Sequence, residues 1–242
     1  MNVPEPPILS EERIFSKLTD SPFFQTYRQA FNDATGLNLI LLPADVEVTA
    51  GLEKGAPCRH QSAFCRTLNA AEGGCTQCEK AHRSLLQSSS EKPETSTCFA
   101  GLRETLIPVR SGGRNFAMLS VGEVFPSEPD GTFPEELSRC LDGMSLTEKE
   151  RKSLVESWRE NRVIPREQYQ GLVTILAAFA LQLSDLLNRL LTEETNAEPE
   201  VVVKAKRFVN ANLEEKISLE SVAQHVGVSP YYFCKVFKQS AC

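Results

Sequence analysis

The chain has 242 residues, of which 41% are hydrophobic and 24% charged, and its formal net charge is −6. This composition is ordinary for a globular protein with a real core, and the length is typical of two domains. The N-terminus has no basic start followed by an apolar run, and the longest apolar stretch, 171–183, is too short to span a bilayer. We therefore expect neither a secretory signal nor a membrane span, and we predict a cytoplasmic protein.

Residues 1–125 predict a mixed module of helices and a small antiparallel sheet. Helical patterns cover 10–35 and 61–90, the second with a break at Gly73–Gly74. Short apolar stretches predict strands at 37–43, 46–50, 95–102, 105–110 and 115–125. The segment SGGR at 111–114 suits a hairpin turn between the last two strands.

Residues 126–198 predict a helical segment. Three prolines and a glycine at 126–134 indicate a loop. Ser145 and Glu148 can form a capping box for a helix over 147–161. A long helix over 165–195 follows, and its apolar residues recur at spacings of three and four. They are Tyr169, Leu172, Leu176, Phe179, Leu183, Leu186 and Leu190. This heptad stripe has two interpretations, a helix packed on its own domain or a dimer-forming coiled coil.

The C-terminal segment differs from the rest in charge. From Val201 to the end, six Lys and Arg residues stand against three acidic residues, whereas the remainder has 20 against 29. An acidic body with a basic tail indicates that only the tail meets a polyanion.

This tail has the pattern of a helix-turn-helix. A first helix begins at Val201, and Ser218 can cap a second, short helix. Gly227 suits a tight turn, after which Ser229 and Pro230 can open a third helix. Two short helices joined by a glycine-containing turn are typical of a DNA-binding motif whose last helix enters the major groove.

The stretch SLESVAQHVGVSPYYFCKVFKQ at 218–239 resembles the first helix-turn-helix of the AraC family of bacterial transcription regulators. The resemblance implies a DNA contact set at the start and outer face of the last helix. Its members are Ser229, Pro230, Tyr231, Tyr232, Cys234, Lys235 and Lys238. The family carries a second helix-turn-helix that these 242 residues do not contain, so we expect this chain alone to bind DNA weakly.

Five of the eight cysteines fall between Cys58 and Cys98. Cys65, Cys75, Cys78 and Cys98 could hold a zinc ion or an iron–sulfur cluster, because four thiolates close either site. The same spacing also places Cys75, Cys78 and His82 on one helix face, as in a core or ligand pocket. Redox sensing is a third interpretation. A catalytic pair of Cys98 with His82 has no readable orienting residue, so we expect no enzyme.

FCRTLNAAEGGCTQCEKAH followed by TCFAGLRETLIPVRSGGRNFAMLSVGEVF resembles the PocR-type sensory domain. The resemblance covers roughly residues 14–125. It implies a PAS-like fold that binds a small, largely apolar molecule, placed before an AraC-type DNA-binding domain. Phe99 stands where that family often has His, and Glu123 where it often has Gln.

We therefore predict an α+β protein of three parts: a PAS-like sensor (1–125), a helical transmitter and dimerisation segment (126–198) and a partial AraC-type helix-turn-helix (201–242). The predicted function is a homodimeric, ligand-responsive transcription regulator, and the alternative is a metal- or redox-responsive one. The predicted partners are DNA and a small apolar inducer, with no membrane. The pocket candidates are Phe64, Phe99, Leu102, Glu104, Met118 and Glu123.

Overall fold

The computed structural model describes residues 9–45, 62–70, 76–88, 90–129, 132–196, 199–212 and 217–240. The chain divides into two compact units after Leu190. The helices of the first unit are α1 (Leu9–Thr19), α2 (Pro22–Thr35), α3 (Ala63–Ala70), α4 (Thr76–Ser88), α5 (Glu135–Asp142), α6 (Glu148–Arg159) and α7 (Arg166–Asn196), the last of which continues past the division. Its strands are β1 (Ile40–Pro43), β2 (Glu94–Thr97), β3 (Arg103–Ser111) and β4 (Arg114–Val124). The second unit contains α8 (Glu200–Ala211), α9 (Leu219–His225) and α10 (Pro230–Ser240).

The four strands form one antiparallel sheet in the order β1-β4-β3-β2. The hairpin between β3 and β4 closes with Ser111 opposite Arg114, so the predicted SGGR turn is confirmed. Positive φ angles at Gly112 and Gly113 explain why this turn needs glycine. The predicted α+β class with a small antiparallel sheet is confirmed. The predicted strand at 46–50 lies outside the described residues.

The central strands are buried on both faces, because successive side chains point to opposite sides and every residue in 105–109 of β3 and 116–122 of β4 is buried. On one face, Leu42, Leu106 and Met118 form a cluster with Leu85 and Leu86 of α4. On the opposite face, the Thr105 hydroxyl forms a hydrogen bond with Tyr169 of the long helix α7. The sheet is therefore the middle layer of the first unit.

Helix α7 is held on the sheet by hydrogen bonds along its length. The hydroxyl of Tyr169 donates to the carbonyl of Val121 at 3.1 Å and lies 2.8 Å from the hydroxyl of Thr105. Farther along, the backbone N–H of Arg110 donates to the Ser184 hydroxyl at 2.9 Å. These contacts tie α7 to β3 and β4 at both ends of the strands.

The apolar stripe of α7 lies within this unit. Tyr169, Leu176, Phe179 and Leu183 are at most 3% exposed, and the ring of Phe179 stacks on Tyr27 of α2 with centroids 3.5 Å apart. Of the two interpretations of the stripe, the described contacts show the packing of the helix on its own domain. The other side of α7 carries Ile175 and Leu181, which are 57% and 70% exposed.

The length and hydropathy of α7 also match a membrane span over Arg166–Glu194, which the short apolar run in the sequence did not suggest. The core helix of a globular protein has the same length and composition. The hydrogen bonds of Tyr169 and Ser184 to the sheet belong to such a core.

Helices α5 and α6 pack at the end of the sheet around Trp158. Its indole N–H donates to the carbonyl of Ala100 at 2.9 Å, and the ring meets Phe125 and Phe133 edge to face. The capping box of α6 is formed by Thr147 and Glu150, so the predicted pair of Ser145 and Glu148 was wrong by two residues. Thr147 lies directly before the first helical turn, where its side chain can reach the free N–H groups.

We expect Tyr169→Phe to destabilise the first unit by about 1–3 kcal/mol, because the Val121 carbonyl and the Thr105 hydroxyl lose a buried partner. Urea unfolding followed by circular dichroism measures the change, with the exposed substitution Gln170→Ala as control.

Burial raises the pKa of Tyr169 to about 12. The free energy of unfolding of the wild type should therefore fall as pH rises from about 10 towards 12, because only the unfolded phenol ionises there. Equal alkaline sensitivity of Tyr169→Phe would contradict this assignment.

Candidate ligand and DNA-binding sites

A buried polar group lies on the sheet face that carries α4. Glu104 of β3 accepts a hydrogen bond from the Ser120 hydroxyl of β4 at 2.9 Å. His82 of α4 is 3% exposed, and its Nδ1 atom lies 3.5 Å from the same carboxylate oxygen. Among the described residues, neither ring nitrogen of His82 has a hydrogen-bond partner. The sequence alone did not connect these three residues, because they come from three separate elements.

An apolar cluster surrounds the neighbouring thiols. Phe64, Cys65 and Leu102 are at most 7% exposed, and Cys78, Cys98 and Phe99 pack against the same cluster. Residues of α3, α4 and the turn before β3 thus pack into one apolar cluster. We call this cluster together with Glu104, Ser120 and His82 the sensor chamber.

The thiols of the chamber are held in the neutral form. Burial raises the pKa of Cys65 and that of Cys98, and the carboxylates of Glu104 and Glu123 raise both further. A thiolate is the species that attacks electrophiles and binds metals. The described surroundings therefore favour the interpretation of these cysteines as packed, uncharged side chains.

Of the six predicted pocket residues, the structure brings Phe64, Phe99 and Leu102 into one cluster. Glu104 lies within electrostatic reach of that cluster, since its charge raises the pKa of Cys65 and that of Cys98. Met118 is buried with Leu106 in the adjacent cluster, on the same face of the sheet as Glu104. His82 was not among these six, although its helix face with Cys75 and Cys78 had been interpreted as that of a core or ligand pocket. Ser120 was not predicted, although a serine at an inward strand position is a signal of a polar group inside a core.

Glu123 has the single positive φ angle among the described non-glycine residues, 58°. Such a backbone costs about 1–3 kcal/mol and is found preferentially at functional sites. Gly122 before it lies so close to β3 that a Cβ atom would overlap the carbonyl oxygen of Arg103 and the Cα atom of Glu104. This irregularity directs Glu123 to the N-terminus of α3, where its Oε2 atom accepts from the backbone N–H of Ser62 at 2.6 Å.

The predicted metal site depends on Cys75, which lies outside the described residues. Across the described ranges, no group of three or more His, Cys, Asp or Glu side chains could hold a metal ion. The Cys78 sulfur accepts a hydrogen bond from the Asn69 amide at 3.5 Å. The zinc or iron–sulfur site stays a prediction, and the metal content of the purified protein tests it.

The second unit has the geometry of a helix-turn-helix. Ser218 and Ser221 form a capping box at the start of α9, and Gly227 has a φ of 75° in the turn. Val222, Ala223 and Phe233 are buried between α8, α9 and α10. The small Ala223 is fully buried, which lets α9 and α10 approach closely.

The predicted DNA-contact residues lie at the start and on the outer side of α10. The Ser229 hydroxyl accepts from the N–H of Tyr232 at 3.2 Å and caps the helix. Tyr231 is 83% exposed and Tyr232 50%. Pro230, Lys235 and Lys238 are exposed, and Cys234 is half-buried. Their arrangement is that of a recognition helix, with a polar and basic face open to a groove.

We expect iodoacetamide at pH 8 to modify Cys65 and Cys98 at least roughly tenfold more slowly in the folded than in the unfolded protein, because the raised pKa leaves little thiolate. Peptide mass spectrometry after timed quenching measures each site separately. The half-buried Cys234 serves as internal comparison. Equal rates in the folded and unfolded protein would mean that the chamber is open or that its thiols are ionised.

The comparisons with known proteins agree with both sites. A family model described as the sensory domain found in PocR matches residues 17–188. A model described as bacterial regulatory helix-turn-helix proteins of the AraC family matches residues 210–240. The chain is also 24% identical over 245 residues to the regulatory protein PocR of Salmonella typhimurium (strain LT2), with 93% of this chain and 76% of that protein covered.

Both resemblances stated from the sequence are therefore confirmed. The sensory match extends beyond the predicted boundary at 125 and takes in most of α7. A sensory domain joined to an AraC-type helix-turn-helix is the organisation of a ligand-responsive, DNA-binding transcription regulator. Because the sensory model covers more than half of the chain, the chain belongs to the family of proteins that carry the PocR sensory domain.

Proposed function

We propose that the chain is a transcription regulator whose inducer binds in the sensor chamber and changes DNA binding by α10. The observation that carries the proposal is that His82 is 3% exposed and that neither ring nitrogen hydrogen-bonds to a described residue, with Nδ1 3.5 Å from the Glu104 carboxylate. A buried polar atom without a partner costs about 1–3 kcal/mol. An inducer that hydrogen-bonds to His82 would recover part of this cost.

The residues of the chamber define the class of inducer. Phe64, Leu102 and the neutral thiols of Cys65 and Cys98 offer apolar contact, while His82 and Glu104 offer polar contact at one end. Pockets with this division bind small molecules that have an apolar body and one polar group. The inducer is therefore a small, largely apolar molecule with a hydroxyl or carbonyl group.

We expect a panel of alcohols, aldehydes and ketones of three to six carbons to contain compounds that raise the melting temperature of the protein. A ligand present at 100 times its Kd stabilises by about 2.7 kcal/mol, which corresponds to roughly 5–10 °C for a unit of this size. His82→Phe should abolish the shift, whereas Tyr231→Ala in the other unit should retain it. A shift that survives in His82→Phe would place the inducer elsewhere.

Dimerisation is the second part of the proposal, and the exposed side of α7 supports it. Gly171, Thr174, Ala178 and Leu181 follow one another at spacings of three, four and three, and Ile175 lies beside them. These residues are exposed, and the two small ones permit close approach of a second helix. One helix-turn-helix module buries only roughly 600–1,000 Å² on DNA, so a second copy would supply the second recognition helix.

The dimer surface is therefore predicted on the side opposite the buried stripe. We expect Ile175→Glu with Leu181→Glu to give a folded monomer, because both side chains are exposed within the unit. Leu183→Glu should instead unfold the unit, because Leu183 is fully buried. Light scattering measures the mass, and circular dichroism the fold. A dimer that persists in the double variant, or a wild type that is monomeric at micromolar concentration, contradicts this surface.

For DNA, we expect Lys235→Ala to weaken binding by about 1–3 kcal/mol and to relax sequence preference, since base edges are the proposed contact of this side chain. Lys238→Ala should weaken binding to all sequences and reduce the slope of log K against log salt by about 0.9. Titration against the DNA upstream of the chain's own operon measures both changes. Lys80→Ala in the sensor unit is the control. Identical effects of the two substitutions on specificity would refute these separate roles.

A further inference from the structure

Glu123 has a backbone conformation that a glutamate rarely adopts. In the register of β4 with β3, Gly122 and Val124 lie opposite consecutive residues of β3, so Glu123 between them is the extra residue of a β-bulge. Its φ of 58° lies in the left-handed region, where the Cβ atom of an L residue crowds the following carbonyl oxygen. Such a conformation persists only when the surrounding structure holds it in place.

One contact that holds Glu123 joins it to the start of α3. Its Oε2 atom accepts from the backbone N–H of Ser62 at 2.6 Å, and the Ser62 hydroxyl in turn accepts from the N–H of Cys65 at 3.0 Å. The first bond is charge-assisted, and the carboxylate lies at the positive end of the helix. Phe64 and Cys65 of α3 belong to the sensor chamber. The bulge of β4 is therefore tied to a helix that supplies the chamber with side chains.

This contact lies beside open space. Ser62, Gly122 and Glu123 line a surface cleft of about 240 Å³, so the carboxylate has room to turn into solvent when its bond to Ser62 breaks. The strain of a left-handed residue and the stabilisation by a charge-assisted hydrogen bond are of the same order and of opposite sign. The bonded and the released arrangement of Glu123 are therefore close in free energy.

The bulge continues directly into the backbone pairing that precedes α7. The N–H of Phe125 donates to the carbonyl of Arg162 at 2.8 Å, and the N–H of Ile164 donates to the carbonyl of Phe125 at 2.9 Å. Phe125 and Ile164 are 4% and 3% exposed. The left-handed residue sets the direction in which β4 leaves the sheet, because a bulge bends its strand. An extended backbone at Glu123 would therefore turn Phe125 away from Arg162.

We propose that Glu123 is a strained latch between α3 and the segment before α7. While it is bonded to Ser62, the latch keeps the bulge and the pairing of Phe125 with Arg162. When it is released, Glu123 relaxes to an extended backbone and this pairing weakens. The regulatory use of the latch rests on the proposed function, because an inducer that contacts Phe64 and shifts α3 would separate Ser62 from Glu123. The latch itself is tested without a ligand, so either proposal can fail while the other stands.

The test measures amide hydrogen exchange in the ligand-free full chain by NMR. The Ser62 amide reports on the latch, the Phe125 amide on the pairing before α7, and the Leu119 amide of the central strand on opening of the whole unit. In Glu123→Ala we expect the Ser62 and Phe125 amides to exchange at least fivefold faster relative to Leu119, because no bond holds the alanine in the left-handed region. In Glu123→Gly we expect faster exchange at Ser62 alone, since glycine adopts this backbone without help.

Two further variants complete the test. Glu123→Gln keeps the length of the side chain with a weaker, neutral acceptor, so it should show the alanine pattern at smaller amplitude, and it decides if the alanine variant does not fold. Ser62→Ala is the matched control, because it removes the hydroxyl that Cys65 uses and keeps the N–H that Glu123 uses. Its Phe125 amide should exchange as in the wild type. A Phe125 amide that is unchanged in Glu123→Ala, or equally fast in the glycine and alanine variants, overturns the proposal.

Discussion

One series of hydrogen bonds, buried at Thr105 and Tyr169, holds the sensor unit together and runs across the sheet into α7. The hydroxyl of Tyr169 donates to the Val121 carbonyl, so the Thr105 hydroxyl must donate to Tyr169 and Thr95 must donate to Thr105. Each hydroxyl has one proton, and this order uses every one. These hydrogen bonds join β2, β3, β4 and α7 in a single donor-to-acceptor direction. They specify which turn of α7 lies on the sheet.

The helix-turn-helix could be predicted almost completely from the sequence. Its signals are local: Ser218 and Ser229 cap helices, Gly227 permits a positive φ angle, and Ala223 leaves room for a neighbouring helix. Local signals need no knowledge of the tertiary fold. The capping box of α6 shows the limit of such signals, because Ser145 and Thr147 both suit an N-cap and only packing decides between them.

The sensor chamber could be predicted only in part, because its polar residues meet through the register of the sheet. Glu104 and Ser120 are 16 residues apart and become neighbours through the β3–β4 pairing. His82 reaches them from a helix that precedes both strands. Similarly, the heptad stripe of α7 fits a coiled coil and a sheet-covering helix equally well, since both bury one side of a helix. The residues that α7 contacts, such as Thr105 and Tyr27, distinguish the two structures. A spacing of three and four residues does not identify those contacts.

If the inducer binds as proposed, the alternation of side chains along β3 offers a short route from the sensor chamber to α7. Glu104 faces the chamber and accepts from Ser120, while Thr105, the next residue, faces α7 and bonds to Tyr169. The two sites are electrostatically coupled, because the charge of Glu104 is one of the causes that raise the pKa of Tyr169. A ligand acts on a regulator only when it binds one conformation more tightly than another. An inducer that moves Glu104 therefore acts one residue away from the hydroxyl that anchors α7, and α7 is continuous in sequence with the DNA-binding unit.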